Sequence, residues 1–383
     1  MKIALSANGR SPHTERWANA LASRGHELTV VWEVDQVSEA VLAQYRSEVR
    51  HIARRPGGWP IRRVACPIEQ APAGSLAGRI RPDVVQGMDL TRHGWTAARF
   101  GGPVVQFALG SDVAWLAARG GAHSRYVRWR TRRALARADL LLCDSLSIAR
   151  SLRTLVPGRR VEVIRLGVEL SDDTRSARDW RSELELDEAS FVVLSTRLLR
   201  PNYNIKTIIR AFAAAAEAIP GALLVLKDFE SFGDPEYRER CRRLLDRLGV
   251  ADRTRHVGEV NRPDLLALYR TADVFVSVPS NDSTAASVLE AMAASLPVVA
   301  TRTDGLDPAV LRDGESALLV EPGDPSALAA ALRRLHDSPA LRERLADDGL
   351  ATVAATGDLE REIEKAESLY QDVIRRRRGA GGG

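Results

Sequence analysis

Short apolar runs recur along most of this chain, each running into a polar or small-residue loop and, in most cases, on into a stretch of helical period. That rhythm restricts the fold sharply. Parallel strands need a crossover long enough to hold a helix, so alternating strand and helix signals imply parallel sheets covered by helices. The pattern begins at once: Lys2–Ser6 is apolar, Asn8-Gly9-Arg10-Ser11-Pro12-His13 is a polar turn, and Trp17, Leu21 and Ala22 then recur at helix spacing. Gly25, within Arg24-Gly25-His26, suits the helix C-cap, and Leu28–Trp32 is the next strand. Further strand-like runs lie at Asp83–Gln86, Pro103–Ala108, Asp139–Cys143 and Val161–Ile164.

A second series starts beyond the charged stretch Glu169–Glu188. Its strand-like runs are Phe191–Ser195, Ala222–Leu226, Thr254–Val257, Val274–Val278 and Pro297–Ala300. Helical segments around Ile208–Ala218, Tyr237–Leu248, Pro263–Tyr269 and Ser287–Ala294 separate them. A chain of 383 residues exceeds one ordinary core, so two α/β domains, Rossmann-like and facing a cleft, are predicted at 1–170 and 171–355. Amphipathic helices fill the remainder, Ser326–Asp337, Pro339–Gly349 and Asp358–Arg377; the last, within 356–378, is expected to pack back on the first domain, before a flexible tail at 379–383. Open α/β sheets bind ligands beyond the carboxyl ends of their strands, so the loops after these runs are the places to search for a site.

Composition narrows the setting. With 45% apolar and 27% charged residues the chain is globular rather than disordered. No run approaches the roughly 20 apolar residues of a bilayer span, and the first residues lack the features of a secretion signal. Cys66, Cys143 and Cys241 are odd in number and match no metal-ligand spacing, which reads as reduced thiols in a cytoplasmic protein. The formal net charge of +5 suits an anionic substrate or an acidic membrane surface.

The stretch from Ser280 to Thr301 carries the most chemistry. It reads as a strand end, a small-residue loop, a helix start and a Pro297-punctuated return to a strand. Asp282, Ser283 and Thr284 are good N-cap types, and a helix starting between them and Ser287 would aim free backbone N–H groups at an anion such as a diphosphate. Ala285 and Ala286 would let that anion approach closely, and Glu290 could accept hydrogen bonds from ribose hydroxyls. This block, with Asp282 and Glu290 separated by seven residues, Leu289-Glu290-Ala291-Met292-Ala293, and then Leu296-Pro297-Val298-Val299-Ala300-Thr301, resembles the signature of the retaining glycosyltransferases of family 4, which have the GT-B fold. The resemblance is strongest over Phe191–Leu335 and continues, more weakly, through the first domain.

It implies that the first domain binds an acceptor and the second a nucleotide sugar, with Glu290 on the ribose and Asp282 on the donor sugar, although the family usually has Glu at the latter position. Arg197 matches the family's diphosphate-binding arginine. The family's lysine position holds Tyr203, so Arg200 and Lys206 are the nearby cations that could replace it. Val257-Gly258-Glu259-Val260 is similar to the segment whose backbone contacts the base. The turn containing Gly9 and His13, and the loop Leu109-Gly110-Ser111-Asp112, resemble the acceptor side, where Leu109 stands at a position often held by His. His13 and Asp112 have equally good structural roles at helix starts, and Asp144-Ser145 is a weaker strand-end pair.

The implied reaction is retaining transfer of a sugar from a nucleotide diphosphate to a small-molecule or lipid acceptor. It needs no metal, since cations and a helix terminus stabilise the departing diphosphate. Two other readings are a GT-B-fold sugar-nucleotide epimerase or hydrolase, and a non-catalytic nucleotide-sugar-binding protein. Arg125, Arg128, Arg130, Arg132, Arg133 and Arg137 crowd one segment with Tyr126 and Trp129; this suits either a peripheral contact with the inner membrane face, or an anionic substrate, or a solvated helix face, which is the reading composition favours. No nucleic-acid-binding motif is present. Base, sugar, acceptor and oligomeric state are not written in the residues.

Overall fold

The computed structural model describes the chain apart from residues 34–38, 56–67, 73–74, 111, 114–115, 117–121, 171–177, 188, 229–232, 283 and 381–383. It divides into two compact units: Met1–Leu166 with Leu359–Gly383, and Gly167–Asp358. The divisions fall a few residues from 170 and 355, because Val168 is buried in the second unit's core and Leu359 in the first's.

The first unit is built on β1 (Lys2–Ser6), β2 (Glu27–Glu33), β3 (Arg50–Arg55), β4 (Glu69–Pro72), β5 (Val84–Met88), β6 (Val104–Ala108), β7 (Leu140–Cys143) and β8 (Val161–Val163). They form one parallel sheet in the order β4-β3-β2-β1-β5-β6-β7-β8. The central strands are apolar throughout because helices cover both faces of a parallel sheet. The edge strand β4 and its neighbour β3 are polar, joined by pairs such as Arg50–Glu69 at 2.9 Å, and no apolar run announces them.

The helix Leu359–Ala380 closes this unit. Ile363, Ala366, Tyr370 and Val373 enter the same core as Trp17, Leu21, Val30 and Phe107. Trp17 Nε1 donates to the Tyr370 hydroxyl at 3.3 Å, and that hydroxyl donates to Gln86, a buried polar path from the helix into the sheet. The helix continues through Gly379 and Ala380, where a flexible tail was expected; a glycine in a last turn weakens a helix by about 1 kcal/mol without ending it. Residues 381–383 of that tail lie outside the described residues.

The second unit carries β9 (Phe191–Ser195), β10 (Ala222–Lys227), β11 (Thr254–Val257), β12 (Val274–Ser277), β13 (Val298–Thr301) and β14 (Leu318–Val320), all parallel, in the order β11-β10-β9-β12-β13-β14. Order reverses between β9 and β12, the kind of switch point at which open α/β sheets hold ligands. Helices Ile205–Ala216, Pro235–Arg247 and Pro325–Asp337 cover one face, with Phe212, Leu245 and Leu332 in its core. Helices Arg262–Thr271 and Ala286–Ala293 cover the other, with Tyr269, Leu289 and Phe275. The α/β class read from the sequence is borne out in both units. Among the described residues no helix is long and apolar enough to cross a membrane.

Candidate functional site

The loops after β9 and β12 are stitched together at the switch point. Asn204, with φ of 54°, ends the short 3-10 turn Pro201–Tyr203, and its amide donates to the Val278 carbonyl at 3.0 Å and the Ser280 hydroxyl at 2.9 Å. The Ser280 amide donates to the Asn202 carbonyl at 2.9 Å. From the other side, Thr303 donates to the Asp282 carbonyl at 2.9 Å, and Thr284 Oγ1 accepts from the Asp307 amide at 3.0 Å. The loop that carries Asp282 is therefore held on both flanks.

These ties bring Arg197, Asp282 and Ser287 together. The Arg197 guanidinium donates one branch to the Asp282 carboxylate and the other to the Ser287 hydroxyl at 3.1 Å. Its plane lies over the Tyr203 ring at 4.1 Å, so the residue standing at the family's lysine position supports the arginine instead of supplying a charge. Arg197 Nε is buried and has no hydrogen-bond acceptor among the described residues.

Glu290 sits on the second turn of helix Ala286–Ala293 and is 8% exposed. The Tyr269 hydroxyl donates to its carboxylate at 3.2 Å and lies 3.0 Å from Thr196 Oγ1, next to Arg197. Arg262 approaches the other carboxylate oxygen at 3.8 Å. Burial, then the Glu290 charge, holds the Tyr269 phenol well above its ordinary pKa, so it remains a donor to the carboxylate. Tyr269 thus fixes the rotamer of Glu290.

Several expectations change. The helix begins at Ala286 after an extended Ala285, and no side-chain cap bonds to it. Asp282 and Thr284 are not N-caps: the carboxylate of one is taken by Arg197 and the hydroxyl of the other by Asp307. Ser283 lies outside the described residues. Lys206 turns toward the flanking helix, its ammonium 5.4 Å from the Tyr237 ring, and Arg200 is exposed, so neither joins Arg197. Val260 packs against the core beneath the loop after β11.

A cation the sequence reading overlooked is Lys227, the last residue of β10 and 1% exposed. Its register neighbour is Val257, while Leu226 faces Ser195, which sets Lys227 beside Thr196 at the carboxyl edge of the sheet. The signal was present: a lysine ending an otherwise apolar strand run is costly unless it has a task.

In the first unit, Asp112 is committed to the backbone. It is 7% exposed and accepts from the amides of Leu90 and Val113, each at 2.8 Å, and Leu109 at 3.1 Å, so it joins the loops after β5 and β6 rather than facing an acceptor. Burial raises its carboxyl to a pKa of about 6 against those bonds. Ser111 lies outside the described residues. At Gly9 a Cβ would meet the Trp32 ring at 2.4 Å, so glycine is required by packing, and its carbonyl accepts from the Tyr45 hydroxyl at 2.7 Å. His13 is half-buried on the first turn of helix Pro12–Ser23. Ser145 caps helix Leu146–Leu155, accepting from the Ile148 amide at 3.3 Å. A grouping the sequence did not suggest lies at the ends of β1 and β5: buried His93, 3.5 Å from Ser6 Oγ and 3.8 Å from the Asp89 carboxylate, with Asp89 at a φ of 124°. Among the described residues no group of three His, Cys, Asp or Glu side chains could hold a metal ion.

Two family profiles match the chain: the one described as Glycosyl transferases group 1 over residues 176–351, and Glycosyltransferase Family 4 over 7–172. The chain is similar to a D-inositol 3-phosphate glycosyltransferase of Thermomonospora curvata, at 36% identity over 55% of this chain and 52% of the relative. It is also similar to the lipopolysaccharide core biosynthesis glycosyltransferase LpsE of Rhizobium meliloti, at 31% identity over 56% of this chain and 59% of the relative. The chain thus spans about half the length of these curated relatives. In fold it is similar to HepE of Anabaena, solved in complex with UDP-glucose (TM-score 0.76, 18% identity, covering 97% of this chain and 100% of that one). Sucrose-phosphate synthase of Thermosynechococcus elongatus has a TM-score of 0.75 at 21% identity, over 97% and 99% of the two chains.

Proposed function

The chain belongs to the group 1 glycosyltransferases of family 4, and from that premise we propose that it transfers a sugar from a nucleoside diphosphate to an acceptor hydroxyl, with retention of anomeric configuration and without a metal. The observation that carries this reading is the cluster Arg197–Asp282–Ser287 held at the start of the helix that bears Glu290. A guanidinium and the first amides of a helix converge there, and both favour a diphosphate. Glu290, oriented by Tyr269, is the ribose ligand. Asp282, one hydrogen bond from Arg197, is the contact to the donor sugar.

In this scheme the barrier falls because charge developing on the departing diphosphate meets donors already in position. The acceptor attacks the face from which the diphosphate leaves, and a phosphate oxygen takes its proton. Arg197 does the electrostatic work that a divalent ion does in metal-dependent transferases. The donor is a nucleotide sugar; the UDP-glucose held by a protein of the same fold makes the UDP series the first probe.

A peripheral contact at the inner membrane face, suited to a lipid acceptor, forms part of the same proposal. Helix Ala122–Ala136 contains no acidic residue, and Tyr126 and Trp129, stacked with centroids 6.0 Å apart, are the two most exposed large apolar side chains among the described residues. Arg125, Arg128, Arg132 and Arg133 surround Trp129. An anionic bilayer surface accepts both the rings and the guanidinium groups that cover them.

The test is release of nucleoside diphosphate from UDP-, GDP-, ADP- and TDP-sugars with a chelator present, with and without candidate acceptors. Arg197→Ala and Glu290→Gln should each lower turnover by about 10²- to 10³-fold. Strict dependence on added divalent metal, or full turnover in both variants, overturns the assignment. Release without acceptor supports a hydrolase or epimerase instead.

A further inference from the structure

The first unit has a switch point of its own. Its sheet order reverses between β1 and β5, and the carboxyl ends of such strands are where open α/β sheets hold ligands. Ser6 ends β1, Asp89 follows β5, and His93 opens the short helix His93–Ala97. Glycine at 94 lets that helix settle on the strand ends, since a Cβ there would lie 2.8 Å from the Asp89 carbonyl oxygen. Asp89 has a φ of 124°, a conformation that a residue with a side chain adopts at a cost and that recurs at binding sites. One carboxylate oxygen holds the turn: Oδ1 accepts from the amides of Thr91 at 2.6 Å and Arg92 at 2.8 Å, and from the Thr91 hydroxyl at 2.9 Å. The other, Oδ2, has no hydrogen-bond donor among the described residues and faces His93 Nε2 at 3.8 Å, beyond hydrogen-bond reach.

The His93 imidazole is 4% exposed, and its one hydrogen bond among the described residues is the long one between Nδ1 and Ser6 Oγ at 3.5 Å. Burial lowers its pKa, with Arg92 and Arg54 acting in the same direction and Asp89 and Glu33 opposing, so the ring is neutral. A carboxylate opposite Nε2 favours the proton on that nitrogen and leaves Nδ1 to accept from Ser6. The site thus offers an N–H and a carboxylate oxygen side by side, and a single oxygen can sit about 2.8 Å from both. A hydroxyl satisfies the pair, donating to Oδ2 while accepting from Nε2. A phosphate has no proton to give at its ionised oxygens and meets the Asp89 charge. We propose that Asp89 and His93 grip a hydroxyl of a neutral, polyhydroxylated acceptor, with Ser6 and the Thr91 turn as positioning residues. The inference rests on the transferase reading above and narrows its acceptor to one that presents an uncharged hydroxyl at this point.

Nitrogen-15 NMR of the imidazole rings in the full chain, assigned through His93→Gln, reads the contact directly. D-Glucose, D-galactose, D-mannose and myo-inositol are titrated, with inorganic phosphate as the anionic control. At least one polyol should shift the His93 Nε2 signal saturably, and phosphate should not. Asp89→Asn keeps Oδ1 and a side chain that tolerates the positive φ, but places an amide donor where Oδ2 was. It should weaken that polyol about tenfold, as for a lost hydrogen bond to a charged group, and leave the melting temperature and UDP affinity as they were. A signal that no polyol moves, an equal shift with phosphate, or unweakened polyol binding in Asp89→Asn overturns the proposal. A wild type that binds none of UDP, GDP, ADP and TDP refutes the transferase reading, whereas one that binds a diphosphate but no polyol refutes this inference alone. Should His93→Gln not fold, the ring displaced by Asp89→Asn gives the assignment, and the comparison stands.

Discussion

Replacing Lys227 with methionine should make the ligand-free second unit more stable, because the ammonium is held at a cost. Burial lowers its pKa from the ordinary value near 10.5 to about 8, against the opposing pull of Glu259, Glu290 and Asp228. At 1.36 kcal/mol per pH unit, that difference corresponds to about 3 kcal/mol. The sign follows from which state binds the proton more tightly. The unfolded chain does, so the cost is fully present below pH 8 and fades as pH rises from 8 toward 10.5. Methionine has a similar length and no charge, so the variant should gain about 3 kcal/mol at pH 7 and little at pH 10. Urea unfolding followed by hydrogen-exchange mass spectrometry on the β9 and β10 peptides reads this unit by itself, which matters because a two-unit chain need not unfold in one step. A variant less stable than wild type at pH 7, or a gap of the same size at both pH values, refutes the argument.

Three other outcomes follow from the geometry. Asp112→Ala strands the buried amides of Leu90, Leu109 and Val113 and should cost about 3 kcal/mol, read as a lowered melting temperature with donor affinity unchanged. Tyr126→Ala with Trp129→Ala should weaken co-sedimentation with phosphatidylglycerol vesicles about tenfold; equal weakening by charge reversal at Arg375 and Arg376, exposed on helix Leu359–Ala380, would show that net charge alone is responsible. A chain ending at Asp358 loses Ile363, Tyr370 and Val373, each contributing about 1.5–3 kcal/mol of burial, and its first unit should lose resistance to proteolysis while β9–β14 keep theirs.

The central strands of both sheets were legible because a strand covered on both faces must be apolar along its length. β3 and β4 were not, since Arg50 and Glu69 are exposed and Arg54 pairs with Glu33, which breaks any apolar run, and β14 escaped because Leu318–Val320 is too short to register. In the candidate site, Arg197 and Glu290 stood out through their sequence context. Lys227 did not: its meaning comes from β10 lying against β9, a pairing between residues far apart in the chain. Tyr269 was hidden for the same reason, reaching Glu290 from a separate helix. Asp112 shows the opposite failure, where a strand-end acid that looks available is consumed by three amides.

The return of helix Leu359–Ala380 into the first unit has a consequence for synthesis. A ribosome delivers β1–β8 well before the segment that completes their core, and at about 5–20 residues per second the wait lasts on the order of ten seconds or more. During that interval the groove destined for Ile363, Ala366, Tyr370 and Val373 stands open on the nascent chain. The second half, whose core is contained within Gly167–Asp358, can therefore reach its native state before the first half, so maturation runs opposite to the order of translation.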